Sequence, residues 1–376
     1  MHPEFPLEPS LIYLNHAAVS PWPKRTADAI QKFAQENLRW GAAFYPRWMV
    51  EETRLKEHIQ ALIHAPAITD IALVKNTSEA LSFVAGGLDF KAGDELIVLK
   101  NDFPSNRIPW EILSEKKKVK LIEVEVSGIE DPEGALLSAL TPQTRMMAIS
   151  SVHYATGLRL NLKRIGAALK SHGVLFLVDA IQSVGALPLD VEAMHIDFAM
   201  ADGHKWLLAP EGLGFFYVSA KLRDAVAPIE FGWHMVEQPG DYNQTHWTVA
   251  KSARRYECGS PNMLGAHALS ASLSLLLEEG AETLSAEVLK RTDHLQQRIL
   301  SEPELELLSD IRPERRSGIV SFRHRKIENE WVFETLKHHN VICAQRGNGI
   351  RFSPHYYTDI TQIDRAIDIV LGCKPT

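Results

Sequence analysis

The chain has 376 residues, 45% of them hydrophobic and 23% charged, with a formal net charge of −7. This is a globular composition with material for a large core, and the length suggests two or three domains. The mild acidity, with no basic cluster longer than Lys116-Lys117-Lys118, speaks against a nucleic-acid surface, and the most apolar run, 264–277, is too short to span a membrane and carries His267 and several serines.

The opening MHPEFPLEPSLIYL has no basic region followed by an apolar one, so it does not read as a signal peptide. Cys258, Cys343 and Cys373 form neither a disulfide nor a metal-site spacing. The expectation is a reduced, cytoplasmic protein without a metal centre.

Residues 13–18 read as a short strand running into a loop with Pro21 and Pro23, which leaves His16 in that loop. A helix over 25–38, a loop over 41–47 with Tyr45 and Arg47, and a second helix over 50–63 follow. The buried strand 71–74 precedes Asn76-Thr77-Ser78-Glu79 and a helix. Asn76 with Glu79 three residues on is a capping-box-like start. Such a start presents free N–H groups and the positive end of the helix dipole, which suits a phosphate, although an ordinary cap reads the same way. Thr77 and Ser78 add hydroxyl donors.

The strand 95–99 leads into a polar loop that contains Phe103 among Asn101, Asp102, Pro104 and Asn106. Strands 120–126 and 146–150 flank a helix over 131–140. After the second strand comes Ser151-Val152-His153-Tyr154, where pleating sends only one of His153 and Tyr154 inward. A helix over 165–172 follows.

The apolar run 174–178 ends in Asp179, and the short strand 198–201 is followed by Asp202-Gly203-His204-Lys205-Trp206. Continuous apolar runs are strands buried on both faces of a parallel sheet. Ligands of open α/β sheets sit at the carboxyl ends of such strands. A lysine and a carboxylate placed there suit pyridoxal phosphate (PLP), which needs an amine for a Schiff base and an anion beside its ring nitrogen. A buried ion pair, or a surface lysine after a strand, fits the same spacing.

A strand over 211–218, a Gly259-Ser260-Pro261 turn and helices over 266–278 and 284–300 come next. Strands 318–322 and 341–344 precede a hairpin turn at Arg346-Gly347-Asn348-Gly349, in which Asn-Gly is the signal. The return strand 350–353 carries Arg351, and a helix over 362–371 closes the pattern.

VDAIQSVG followed by DFAMADGHKWLLAPEGLGFFYV resembles the class V aminotransferase family of fold-type-I PLP enzymes. That family includes cysteine desulfurases, selenocysteine lyases, kynureninase and isopenicillin-N epimerase. The likeness runs from Tyr13 to about Leu371, with the motifs in the family's order. It implies an α/β fold: a large PLP-binding domain over 21–260 with a mostly parallel central sheet flanked by helices, and a smaller C-terminal α+β domain over 261–376. Residues 1–20 would pack near the active site.

The resemblance also assigns roles. Lys205 carries PLP and Asp179 meets its ring nitrogen. Thr77, Ser78 and His204 hold the phosphate, and Gln182 and Tyr154 approach the phenolic oxygen, Tyr154 being preferred over His153. Phe103 stands where desulfurases carry a histidine, much as in the Phe-Pro-Ser segment of kynureninases. An aromatic face covers the ring but moves no protons. Arg351 grips the substrate carboxylate with its planar fork of donors, and His16 is a substrate-contact candidate at the mouth. Ser260 caps the phosphate of a second subunit, which implies a homodimer, with Tyr45 and Arg47 near the partner's site. Asp202 replaces a serine of the desulfurases. A carboxylate there repels a phosphate, so it is expected to point away or cap a loop.

Three readings of function follow. The first is a PLP enzyme on an amino-acid substrate, by transamination, epimerisation or lyase chemistry, with Lys205 as base. The second is a cysteine desulfurase or selenocysteine lyase using Cys343, since Cys343-Ala344-Gln345 resembles the catalytic loop of some desulfurases. The third is a non-catalytic α/β protein that kept the fold. The first is preferred: Cys343 falls in an apolar strand one tight turn from the strand of Arg351, Phe103 has replaced the proton-carrying histidine, and an inert relative has no chemical need for Lys205, Asp179, Gln182 and Arg351 together. A nicotinamide cofactor lacks its G-x-G-x-x-G after the first strand.

Overall fold

The computed structural model describes residues 2–374. It opens with β1 (Ile12–Tyr13), α1 (Lys24–Trp40) and α2 (Tyr45–Ile63). Pro46 lies in the first turn of α2, where its missing N–H is an orphan in any case and its fixed φ suits the helix. The helix therefore starts at Tyr45, earlier than position 50, and takes Tyr45 and Arg47 out of the expected loop.

Strands β2 (Ile71–Val74), β3 (Glu95–Leu99), β4 (Lys120–Val124), β5 (Thr144–Ser150), β6 (Leu175–Asp179), β7 (Phe198–Asp202) and β8 (Gly214–Val218) form one sheet in the order β2-β8-β7-β6-β5-β3-β4. From β4 to β7 every neighbouring pair is parallel, and β8 alone runs against its neighbours. The sheet is mostly parallel, as the resemblance implies. Between its strands run α3 (Thr77–Gly87), α4 (Ile108–Lys117), α5 (Pro132–Ser138) and α6 (Leu162–His172).

Alternation along β6 shows why the run reads as continuously apolar. Phe176 and Val178 pack into one core with Met147 and Ile149, and Leu177 packs into the other with Met146 and Ala148. The first core is closed by α7 (Met263–Glu279), whose Ala266, Leu269 and Leu273 meet Leu55 and Ile59 of α2. Gly280, at φ 82°, ends α7 and turns the chain into α8 (Ala281–Leu300).

The remaining strands are β9 (Leu305–Leu307), β10 (Val320–His324), β11 (Val341–Ile342), β12 (Ala344–Arg346) and β13 (Gly349–Phe352). Four of them make an antiparallel sheet in the order β12-β13-β10-β9. With α8, α9 (Asn329–His338) and α10 (Ile360–Leu371) it encloses a third core around Leu295, Phe322, Leu336 and Ile367. The strand expected over 341–344 divides at Cys343. β11 pairs in parallel with β1, and β12 pairs antiparallel with β13, so one chain segment serves two sheets. Ile12 and Leu14 are buried in this third core, and Asn15 bridges Ser353. These contacts deliver His16, Ala17 and Ala18 to the carboxyl edge of the large sheet. Among the described residues no helix is long and apolar enough to cross a membrane.

Candidate active site

The carboxyl ends of β3, β5, β6 and β7, the start of α3 and the β12–β13 hairpin converge on a cavity of about 240 Å³. Thr77, Ser78, Phe103, Tyr154, Gln182, His204, Lys205 and Arg351 all line it. A larger hollow of about 370 Å³, beside Arg159 and Asn161, contains none of the expected residues.

Asn76 caps α3 by accepting from the Glu79 N–H at 2.9 Å, which fixes the direction of the helix start. Beside it the Thr77 hydroxyl is buried without a partner, and Ser78 shares its proton with Ser105 at 2.8 Å. His204 Nδ1 lies 3.2 Å from Asp202 but out of line for a hydrogen bond, and it is left unpartnered. Unsatisfied buried donors around a helix N-terminus are what a phosphate requires. Asp202 accepts from the Gly203 N–H at 2.9 Å, capping its own turn while still facing the cavity.

Asp179 closes β6, is buried and accepts from the Ile181 N–H at 3.0 Å. Burial pushes its carboxyl up, and the nearby Asp102 adds to the push while Lys205 opposes it. Asp102 is held by the Ser150 hydroxyl at 2.7 Å and the Asn106 amide at 3.0 Å. Lys205 is buried, and burial drives its amine down against the pull of Asp179. Among the described residues it makes neither a hydrogen bond nor an ion pair. Asp179 and Lys205 therefore sense each other's charge across a gap without touching. The amine stands 5.4 Å from the centre of the Phe103 ring, which meets Tyr154 edge-on at 5.3 Å.

Tyr154 faces the cavity, whereas His153 turns away to the Asn101 carbonyl at 3.2 Å and Thr156 at 3.0 Å. Gln182 accepts from the Trp206 indole at 3.0 Å and donates to the Ala17 carbonyl at 3.0 Å. Arg351 is buried and donates to the Tyr154 carbonyl at 2.7 Å, while its Nε has no partner. Burial, with the charge of Arg346 behind it, lowers its guanidinium to about 10. A buried guanidinium with no carboxylate of its own keeps its fork of donors open to an anion.

Asp179 sits behind the lining rather than in it, next to Ile181, and two further expected residues lie away from the cavity. His16 is fully buried and does not line the cavity: Nδ1 meets the Ser353 carbonyl at 2.8 Å and Nε2 meets the Tyr357 hydroxyl at 2.6 Å. Both nitrogens are committed, so none is left for a substrate. Ser260 is exposed beside a separate hollow lined by Gly212, Glu230 and Glu257. Cys343 is buried, and burial raises its thiol to about 12.

Arg346, Asn76, Ser105 and Ala17 also line the cavity, and Asp102 is near enough to Asp179 for its charge to act on it. No periodicity marked them. The Asn101-Asp102 dipeptide, one residue past the end of β3, was the available signal for Asp102. Arg346 needed the hairpin register.

The family model for aminotransferase class-V matches residues 12–365. A probable cysteine desulfurase of Methanothermobacter thermautotrophicus is 29% identical, over 96% of this chain and 94% of that one. An uncharacterized aminotransferase of Bacillus subtilis, YcbU, is 28% identical over 85% of this chain and 83% of its own. Among solved structures, a lysine mutant of C-DES with glycine covalently linked to its PLP cofactor superposes with a TM-score of 0.90, at 23% identity over 98% of both chains. The cysteine desulfurase CsdA of Escherichia coli gives 0.87 at 22% identity, over 98% of this chain and 97% of that one.

Proposed function

The chain belongs to the aminotransferase class-V family of PLP-dependent enzymes, and on that premise we propose that it withdraws the α-proton of an amino acid through Lys205, with no cysteine in the chemistry. PLP supplies, when bound, an aldehyde that captures amines and a ring that draws electrons from the α-carbon. The unsatisfied donors at Thr77 and His204, with Ser78 and the start of α3, suit its phosphate. Asp179 suits the ring nitrogen, Gln182 the phenolic oxygen and Phe103 the ring face.

Arg351 binds the substrate carboxylate through the buried fork that no protein carboxylate occupies. Lys205, lowered by burial, is available as a neutral amine near the pH at which proteins work, and takes the proton. Asp179 holds negative charge where a cationic ring nitrogen offsets the cost of its burial. Phe103 carries no proton, and the amine of Lys205 stands 5.4 Å from its ring centre, so the carrier we assign is Lys205.

One observation carries this reading: the cavity holds a buried, unpaired lysine, whereas the thiol that a desulfurase needs as thiolate lies between two strands and is raised to about 12. Ser260, outside its own chain's cavity and exposed, supports a homodimer in which it completes the partner's phosphate site. Three unpaired cysteines suit a cytoplasmic setting.

The test is a panel of L-amino acids given to holoenzyme and to Cys343→Ala, scored for keto acid, racemised product and sulfide. Both proteins should act on the same amino acids at matching rates. Brisk sulfide release from cysteine by wild type, absent in the variant, would establish the desulfurase instead.

A further inference from the structure

The β12–β13 hairpin brings a second unpaired guanidinium to the cavity. Its register pairs Ala344 with Arg351 and Arg346 with Gly349. Cross-strand partners share a face, and residues two apart on a strand share it too. Arg346 and Arg351 are therefore diagonal neighbours on one face, with the small residues Ala344 and Gly349 opposite them. Both line the cavity of Lys205.

Among the described residues neither arginine pairs with a carboxylate. Arg351 donates to the Tyr154 carbonyl, and Arg346 to the carbonyl of its own neighbour Gln345 at 2.8 Å. Arg346 also lines an adjoining open hollow of about 580 Å³ with Asn15, Gln345 and Asn348. It thus lines both hollows, on the same hairpin face as Arg351. Two like charges on one face repel unless an anion lies between or before them.

We propose that Arg346 binds a second carboxylate, so that the substrates are dicarboxylic amino acids of about the size of aspartate or glutamate. Arg351 takes the α-carboxylate and Arg346 the side-chain carboxylate. This rests on the reading of the site as an amino-acid enzyme and adds the substrate class. A charge-assisted contact of this kind is worth about tenfold to a hundredfold in selectivity.

The experiment compares L-aspartate and L-glutamate with their neutral isosteres L-asparagine and L-glutamine on PLP-loaded wild type, Arg346→Gln and Arg346→Lys. It measures both the change in the cofactor's visible band and kcat/KM. Wild type should prefer the acids by about tenfold or more. Arg346→Gln should lose that preference with the amides changed less than about threefold, and Arg346→Lys should keep part of it. Equal use of acids and amides by a wild type whose band responds overturns this proposal alone. So does a variant that loses all substrates in equal measure, which would place Arg346 in the assembly instead. A band that no amino acid perturbs overturns the parent reading, and this one with it.

Discussion

Trp206 donates its indole N–H to the Gln182 carboxamide oxygen at 3.0 Å, and that single bond fixes which end of the amide faces the cavity. Gln182 Nε2 then points toward Ala17, which leaves the amide's donor end on the side that the proposed contact with the phenolic oxygen would use. The indole is fully buried, and Gly318 makes room for it: a Cβ there would stand 2.2 Å from Cη2. Trp206, next to Lys205 in sequence, is thus a positioning residue.

Trp206→Phe should weaken PLP binding about tenfold, the effect of one lost hydrogen bond and a buried carbonyl left unpaired. Spectroscopic titration of the apoprotein measures it. Gln182→Ala should cost a similar factor, and the double variant should cost little more than either single one. Additive losses would show that the indole acts by packing alone.

A second expectation concerns acid. His16 is buried and neutral, with burial lowering it from 6.5 to about 4, and His355 beside it is lowered further by burial and by His16. The unfolded chain then binds protons that the folded chain refuses between those values. Stability is fully present above about pH 6.5 and is lost as pH falls toward 4, by roughly 3 kcal/mol for His16. Urea midpoints measured from pH 7.5 to 4.5 test this. In His16→Gln the slope should flatten, and an unchanged slope would assign the acid sensitivity to other groups.

Much of the candidate site was legible because strand ends are written locally. An apolar run must stop where the sheet stops, so Asp179 and Lys205 stood out, and Asn76 announced a helix start by its own chemistry. The mostly parallel sheet followed from the same runs. Arg346 read as a turn residue because its place beside Arg351 exists only in the register of the hairpin. His16 read as a loop histidine because what buries it, Ser353, His355 and Tyr357, comes from the other end of the chain. Cys343 read as part of one strand because a sequence does not show that β11 and β12 take different partners.

Reconstitution reports on Lys205 itself. Only the neutral amine adds to an aldehyde, and burial lowers the Lys205 ammonium from 10.5 to about 8. The rate at which apoprotein takes up PLP should therefore rise with pH through a midpoint near 8 and level off about one pH unit above it, well below the range of an ordinary lysine. Stopped-flow absorbance at several pH values follows it, and Lys205→Ala should show no such phase. A rate still rising beyond pH 9.5 would mean that the amine is not desolvated.

The final expectation concerns what holds the second half of the chain against the first. Glu133, buried in α5, accepts two bonds from Arg315, from Nη1 and from Nη2 at 2.7 Å, and a third from the Asn161 N–H at 2.7 Å. Burial works to raise this carboxyl, but the guanidinium and the N–H outweigh it and hold it below the ordinary value. Breaking one side strands a buried charge, so Glu133→Gln should destabilise by about 3–5 kcal/mol. The Glu133→Leu/Arg315→Met pair, which removes both charges, should recover most of that loss. Chemical denaturation of the three proteins decides it. If the single variant unfolds like wild type, Arg315 finds another partner, and the seam between α5 and the 309–317 segment is held by packing alone.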